Sequence, residues 1–191
     1  SLPALKNGYI TFGSFQRLDK IGDNVLATWA KILAALPNAR LKLATELLGN
    51  PLSRTRFTQR LQQHNLDLDR ISMSGAVADR KEYLARYNEI DITLDTFPYG
   101  GTTTTCEALW MGVPTLTLTG ETFLSRFAAS VVMAAGMPDW IAESEVDYIT
   151  KAIKYSRELE TLARLRSNLR EQVLSSPVFD TPRFARNFEA A

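Results

Sequence analysis

The sequence is short of the residues that many site chemistries need. Among 191 residues there is one cysteine, Cys106, and one histidine, His64. A single cysteine cannot build a disulfide framework, so a reducing compartment fits and a cytoplasmic protein is expected. A single histidine leaves no histidine-based acid–base pair or multi-histidine metal site. No apolar stretch approaches the ~18 residues of a membrane span, and no signal-peptide pattern opens the chain. An excess of charge of one sign is missing as well: 22 Lys and Arg stand against 21 Asp and Glu, for a net charge of +1. Without a long basic run, neither nucleic acid nor a membrane surface is an expected partner. Asp67 and Asp69 read as loop charges and not as a metal pair.

What is present is the composition of a folded domain. Apolar residues make up 45% and charged residues 23%, values typical of globular chains. One domain over 1–191 is expected, burying about 70% of its unfolded surface. Because the chain begins at Ser1 and not at methionine, it is expected to be processed or excised from something longer. No repeat, low-complexity tract or linker divides it.

Short apolar and β-branched runs at 9–12, 39–45, 70–74, 90–94 and 113–118 read as strands. Residues 140–141 read as an edge strand or a packed turn. Helical spacing occupies 24–36, 53–64, 79–88, 123–135, 144–174 with a break near Ser156, and 181–190. Residues 14–23 and 46–52 read as loops. Strands alternating with helices predict an α/β fold with a doubly wound, mostly parallel, Rossmann-like sheet.

The chain is organised around 91–120, DITLDTFPYGGTTTTCEALWMGVPTLTLTG. An apolar run bounded by acids is followed by the breaker cluster 97–101, four threonines, an apolar helix and a second β-branched run. That is one βαβ unit with its loop at the carboxyl end of a strand, where open α/β sheets bind ligands. The first N–H groups of a helix lack internal partners and carry partial positive charge. Gly100 and Gly101, lacking Cβ atoms, are expected to let a bulky anion approach the backbone. Thr102, Thr103, Thr104 and Thr105 are expected to add up to four hydroxyl donors. One threonine alone would read as a helix cap, and Glu107 as an acid complementing the dipole. Four threonines behind Gly-Gly, with an acid one turn on, read as an anion cradle for a phosphate. Glu107 shares a helix face with Thr103, where it would repel a phosphate but accept hydrogen bonds from a ribose.

Several of these motifs carry a family resemblance. Asp95-Thr96-Phe97-Pro98-Tyr99, the Gly-Thr run, residues 107–114 and Gly120-Glu121-Thr122 are similar to the C-terminal catalytic half of O-GlcNAc transferases. They resemble equally the plant SPINDLY-type relatives, some of which transfer fucose. The likeness runs from about Tyr9 to the end and includes Gly13-Ser14-Phe15-Gln16, Lys20-Ile21, Ser125-Arg126 and Ser175-Ser176-Pro177. It implies the donor-binding, C-terminal half of a GT-B inverting glycosyltransferase. The expected reaction moves N-acetylglucosamine from UDP-GlcNAc to a protein Ser or Thr, without cofactor or metal. Another catalytic domain and helical repeats would precede this half in the same polypeptide, and the helices of 144–191 would pack on the sheet and towards that domain. Alone, the chain is expected to lack turnover. GDP-fucose or UDP-glucose as donor, or a non-catalytic nucleotide-binding or interaction module, are the alternatives.

The resemblance also implies roles for single residues. Lys20 would be catalytic, binding the diphosphate and helping it leave; without the resemblance it reads as a solvated lysine. Gly101, Thr102, Thr103 and Thr104 would form the cradle. Gln16 and Arg17 would lie near the same phosphates, Arg17 standing where human-type enzymes have glutamine. The Ala78 backbone would read the base edge with Arg80 beside it. Tyr83 would stack on the base, a position usually histidine, although an aromatic on a short helix otherwise reads as core packing. Thr102 replaces a histidine that lies near the transferred sugar.

Overall fold

The structure, a computed structural model, describes residues 2–190; Ser1 and Ala191, the ends of the expected domain, lie outside the described residues. A short helix α1 (Pro3–Asn7) leads into β1 (Thr11–Ser14), and α2 (Asp23–Ala35) returns the chain to β2 (Arg40–Ala44). Helix α3 (Pro51–Gln63) and β3 (Ile71–Ser74) follow, then α4 (Arg80–Ala85) and β4 (Ile92–Leu94). The second half comprises α5 (Thr103–Trp110), β5 (Thr115–Leu118), α6 (Phe127–Ala134) and β6 (Ile141–Ala142). It closes with α7 (Glu145–Arg157), α8 (Leu159–Leu174) and α9 (Thr181–Glu189).

The strands form a sheet of order β3-β2-β1-β4-β5-β6, and each pairing is parallel. The expected doubly wound α/β fold is therefore the one found. Every residue of β1 and β4 is buried, as a parallel sheet covered on both faces requires. From β1 the chain builds outward through β2 and β3, then returns to the other side of β1 with β4. The order reverses there, opening a crevice above the carboxyl ends of β1 and β4.

Local chemistry moves several element boundaries from their expected places. Asn50 accepts from the Ser53 N–H and Pro51 opens the helix, so α3 starts before residue 53. The helix expected over 123–135 is split. Ser125 and Thr122 exchange side-chain and backbone hydrogen bonds, holding Leu124–Arg126 in a 3-10 turn before α6 begins. The break expected near Ser156 falls at Glu158, between α7 and α8. The loop expected from residue 14 begins later, since Ser14 extends β1 and both Phe15 and Gln16 are buried. His64 closes α3, 3.3 Å from Asp23. No described helix is long and apolar enough to cross a membrane.

Buried side chains fall into two clusters. The larger includes Phe12, Trp29, Leu43, Leu116 and Tyr148; the smaller joins Phe15, Ala44, Tyr87, Ile90, Ala108 and Val113. On α9, Phe184 and Phe188 stack on one another and stay exposed. At the other end of the fold, the buried Asp91 carboxylate accepts from the Ala4 and Thr11 N–H groups, each at 2.8 Å, tying α1 and β1 to β4. Asp91→Ala should cost about 2–4 kcal/mol, because two inward N–H groups lose their acceptor. Urea denaturation measures this, and a loss below about 1 kcal/mol would show that those groups find other partners.

Candidate functional site

Because β1 and β4 are adjacent and parallel, the residues that leave their carboxyl ends meet. Gln16 Nε2 donates to Asp95 Oδ1 at 3.0 Å and to Thr104 Oγ1 at 2.7 Å. Asp95 Oδ1 also accepts the Gly101 N–H at 2.8 Å, and Oδ2 accepts the Thr117 hydroxyl at 2.8 Å. The Asp95 carbonyl receives the Tyr148 hydroxyl at 2.9 Å. One fully buried aspartate thus joins the β1 loop, the glycine turn, β5 and α7. Burial pushes its carboxyl up to about 6, although the hydrogen bonds and Lys20 pull the other way.

The glycines serve a different purpose from the one expected. Both are buried, and a Cβ on Gly100 would meet Asp95 and Ala128, while one on Gly101 would meet Gln16, Thr104 and Thr105. They are small so that the turn can pack inward, and the Gly101 N–H is used internally. The expectation that they open the backbone to an anion is corrected accordingly. Of the up to four hydroxyl donors expected, Thr105 is taken out, since it is buried and donates to the Gly101 carbonyl at 3.1 Å. Thr102 and Thr103 are exposed and Thr104 is half-buried. Thr102 occupies the cap position of α5 without a side-chain capping bond. The first N–H groups of α5 are therefore not capped by that side chain, and they carry the positive end of the helix.

Lys20 approaches this turn from the β1 loop. Its ammonium donates to the Gly100 carbonyl at 3.0 Å and lies 3.8 Å over the Tyr99 ring. Burial, the largest influence, lowers its pKa, and Asp95 partly offsets that. Arg17 is in the same loop but exposed and paired with Asp19, so its charge is already countered.

A second group forms around Glu107, in the second turn of α5. Its Oε2 accepts the Tyr83 hydroxyl at 2.7 Å and the Tyr87 hydroxyl at 3.4 Å, while Oε1 pairs with Arg80 at 2.7 Å. The Arg80 guanidinium also lies 5.3 Å over the Tyr83 ring. Tyr83 packs against Phe15 and Tyr87, and burial pushes its hydroxyl up to about 12. Tyr83 and Phe15 line a cavity of about 200 Å3, together with Ala44, Gly75, Val77 and Arg86. Arg86 donates to the Gly75 carbonyl at 2.7 Å. Ala78 is exposed on the loop between β3 and α4 and does not line this cavity. Larger hollows lie elsewhere, among them one of about 540 Å3 at the amino edge of β1 to β3, one of about 580 Å3 along α7 and α8, and one of about 480 Å3 between α6 and β6. None of these three contains any of the converging groups.

Sequence reading missed the hub role of Asp95 and the contributions of Phe15, Arg86 and Tyr87. The acid ending an apolar run directly before a glycine turn was the available signal for Asp95. Nothing local marks Tyr87, whose place depends on α4 meeting α5. Among the described residues, no group of three or more His, Cys, Asp or Glu is placed to hold a metal ion.

Comparison with known proteins gives consistent matches. A family model described as Glycosyl transferase family 41 matches residues 2–188. A probable UDP-N-acetylglucosamine–peptide N-acetylglucosaminyltransferase SPINDLY from Solanum lycopersicum is 39% identical over 188 residues, covering 98% of this chain and 20% of the relative. A UDP-N-acetylglucosamine–peptide N-acetylglucosaminyltransferase from Caenorhabditis elegans is 30% identical, covering 97% of this chain and 16% of its own length. Among solved structures, a mutant O-GlcNAc transferase from Thermobaculum terrenum has a TM-score of 0.89 at 41% identity, covering 96% of this chain and 35% of that one. The chain therefore spans about a fifth of the tomato relative's length and about a third of the solved chain.

The packing of the turn can be checked directly. In Gly101→Ala the new methyl group collides with the Gln16 amide and the Thr104 hydroxyl, neither of which can retreat without breaking the bonds around Asp95. A destabilisation of about 1–3 kcal/mol is expected from such overpacking. Thermal unfolding measures it, and an unchanged midpoint would mean that the turn is looser than its geometry.

Proposed function

The chain belongs to glycosyl transferase family 41, and from that premise we propose that it is the donor-binding half of an inverting GT-B protein O-glycosyltransferase. The donor is UDP-GlcNAc and the acceptor a Ser or Thr hydroxyl of another protein. The observation that carries this reading is the convergence of Lys20, Thr103, Thr104 and the α5 N-terminus above the switch between β1 and β4. The printed activities of the tomato and nematode relatives support the choice of donor.

In this reading the diphosphate lies against the start of α5. The acceptor oxygen bonds to the anomeric carbon from the face opposite the diphosphate, whose bond to that carbon breaks, and the hydroxyl proton is released to water. Negative charge then grows on the leaving phosphate, and stabilising it is electrostatic work. Lys20 is the main contributor: opposite charges about 4 Å apart gain roughly 4 kcal/mol at an effective dielectric of 20. One hydroxyl contributes about 1 kcal/mol, which ranks Thr103 and Thr104 below Lys20. The positive charge comes from Lys20 and the helix, so this reading uses no metal ion.

The base enters the cavity between Phe15, Tyr83 and Arg86. For the ribose to reach Glu107, Arg80 leaves Oε1 and the Tyr83 face; its side chain is 66% exposed. Ala78 and Arg17 take lesser parts, as backbone contact and peripheral cation. The acceptor protein is held largely by the preceding catalytic domain and helical repeats of the same polypeptide.

Calorimetric titration of the chain should show UDP binding more tightly than GDP. Tighter GDP would move the donor to a guanosine sugar, and no binding of either would sink the nucleotide reading. In the full-length enzyme, Lys20→Ala should lower kcat more than it raises KM, since its partner charge grows in the transition state. Steady-state kinetics with kcat unchanged would return Lys20 to a merely solvated role.

A further inference from the structure

Asp95 is fully buried beneath the cradle, and the chemistry above gives it no task. A carboxylate under an anion site repels the ligand, so some other contribution must outweigh that cost. We propose that Asp95 is a positioning residue for the diphosphate, holding the Gln16 amide nitrogen inward and so committing the Thr104 hydroxyl as a donor to the ligand. The inference rests on the diphosphate reading of the cradle.

The hydrogen-bond inventory carries the argument. An ionised carboxylate only accepts, and a glutamine amide has two N–H groups on its nitrogen. Gln16 Nε2 uses one toward Asp95 and the other toward Thr104 Oγ1. The reversed amide would set oxygen against carboxylate, so Asp95 selects the orientation. Thr104, accepting from Gln16, keeps its own proton, and no acceptor for it is found among the described residues. That proton sits in the first turn of α5, on a half-buried side chain. Asp95 further fixes the turn by taking the Gly101 N–H.

This orientation does not depend on the charge of Asp95. When Oδ2 is protonated it can donate to Thr117, whose hydroxyl then rotates, while Oδ1 goes on accepting from Gln16 and Gly101. The titratable groups facing Asp95 are Lys20 from the β1 loop and Tyr148 from α7; β5 brings only Thr117. Burial already raises the carboxyl to about 6. A bound diphosphate raises it further, so the complex holds more protons than the free protein. Affinity therefore falls as pH rises from the free value near 6 toward the higher bound value.

The test titrates UDP-GlcNAc into the chain at about pH 6 and about pH 8, its diphosphate being esterified at both ends and free of the phosphate ionisation near pH 6. The wild type should bind about threefold or more weakly at the higher pH. Asp95→Asn keeps an acceptor for Gln16 and Gly101 without the charge, so it should match the wild type at low pH and lose the pH dependence attributable to this group. Asp95→Ala, shown by circular dichroism to be folded, should lose about tenfold or more at both pH values. Should Asp95→Ala not fold, Gln16→Leu, which removes the amide that commits the Thr104 hydroxyl, takes its place and should lose affinity likewise. A folded Asp95→Ala or Gln16→Leu that binds like the wild type, or an Asp95→Asn that binds about tenfold or more weakly than the wild type at the lower pH, overturns the positioning role alone. A wild type that does not bind UDP-GlcNAc overturns the diphosphate reading and this inference with it.

Discussion

The crevice depends on a buried acceptor that three separate elements need. Gln16 from the β1 loop, Gly101 from the glycine turn and Thr117 from β5 all direct donors at the Asp95 carboxylate. Each would be costly to leave unpaired in the interior. Their common solution fixes how β1, β4 and β5 end relative to one another. Tyr148 adds a fourth donor to the backbone carbonyl of the same residue and ties in α7. A carboxylate normally avoids such burial; desolvation shifts its pKa upward, and the donors that hold it pull the other way.

The turn above that carboxylate has an inner and an outer side, and the sequence divides its residues between them. Gly100, Gly101 and Thr105 face inward and pack, whereas Thr102 and Thr103 remain in solvent. Thr104 bridges the two sides, accepting from Gln16 within while its first-turn position borders the crevice. The short helix α5 is thus anchored at its start by packing, not by a side-chain cap, which leaves its polar end for a ligand.

Much of the fold was legible because parallel strands buried on both faces read as short apolar runs, and these fell in the expected places. Boundaries were less legible where side chains rewired the backbone locally, as Ser125 and Thr122 do before α6. The glycine–threonine turn itself was visible from composition, as a breaker cluster between a strand and a helix. Which side each residue faced was not visible, because Gly101 is crowded by Gln16, a residue far away in sequence that also donates to Thr104. Glu107 was read as open to a ribose. Its tyrosine and arginine partners arrive with α4, a contact that only the tertiary fold creates.

That contact gives the site a resident competitor. Arg80 occupies Oε1 of Glu107 and covers one face of Tyr83, so any ligand that uses both finds them already engaged by a tethered cation. Only the fraction of molecules with Arg80 swung away is ready to receive such a ligand, and apparent affinity is reduced by that fraction. The occupant is held at one end by a shielded carboxylate and at the other is bathed in water, where dissolved ions weaken its grip. Salt would therefore act twice on a ligand of the kind proposed and in opposite directions, loosening the internal competitor while screening the attraction between Lys20 and an anion.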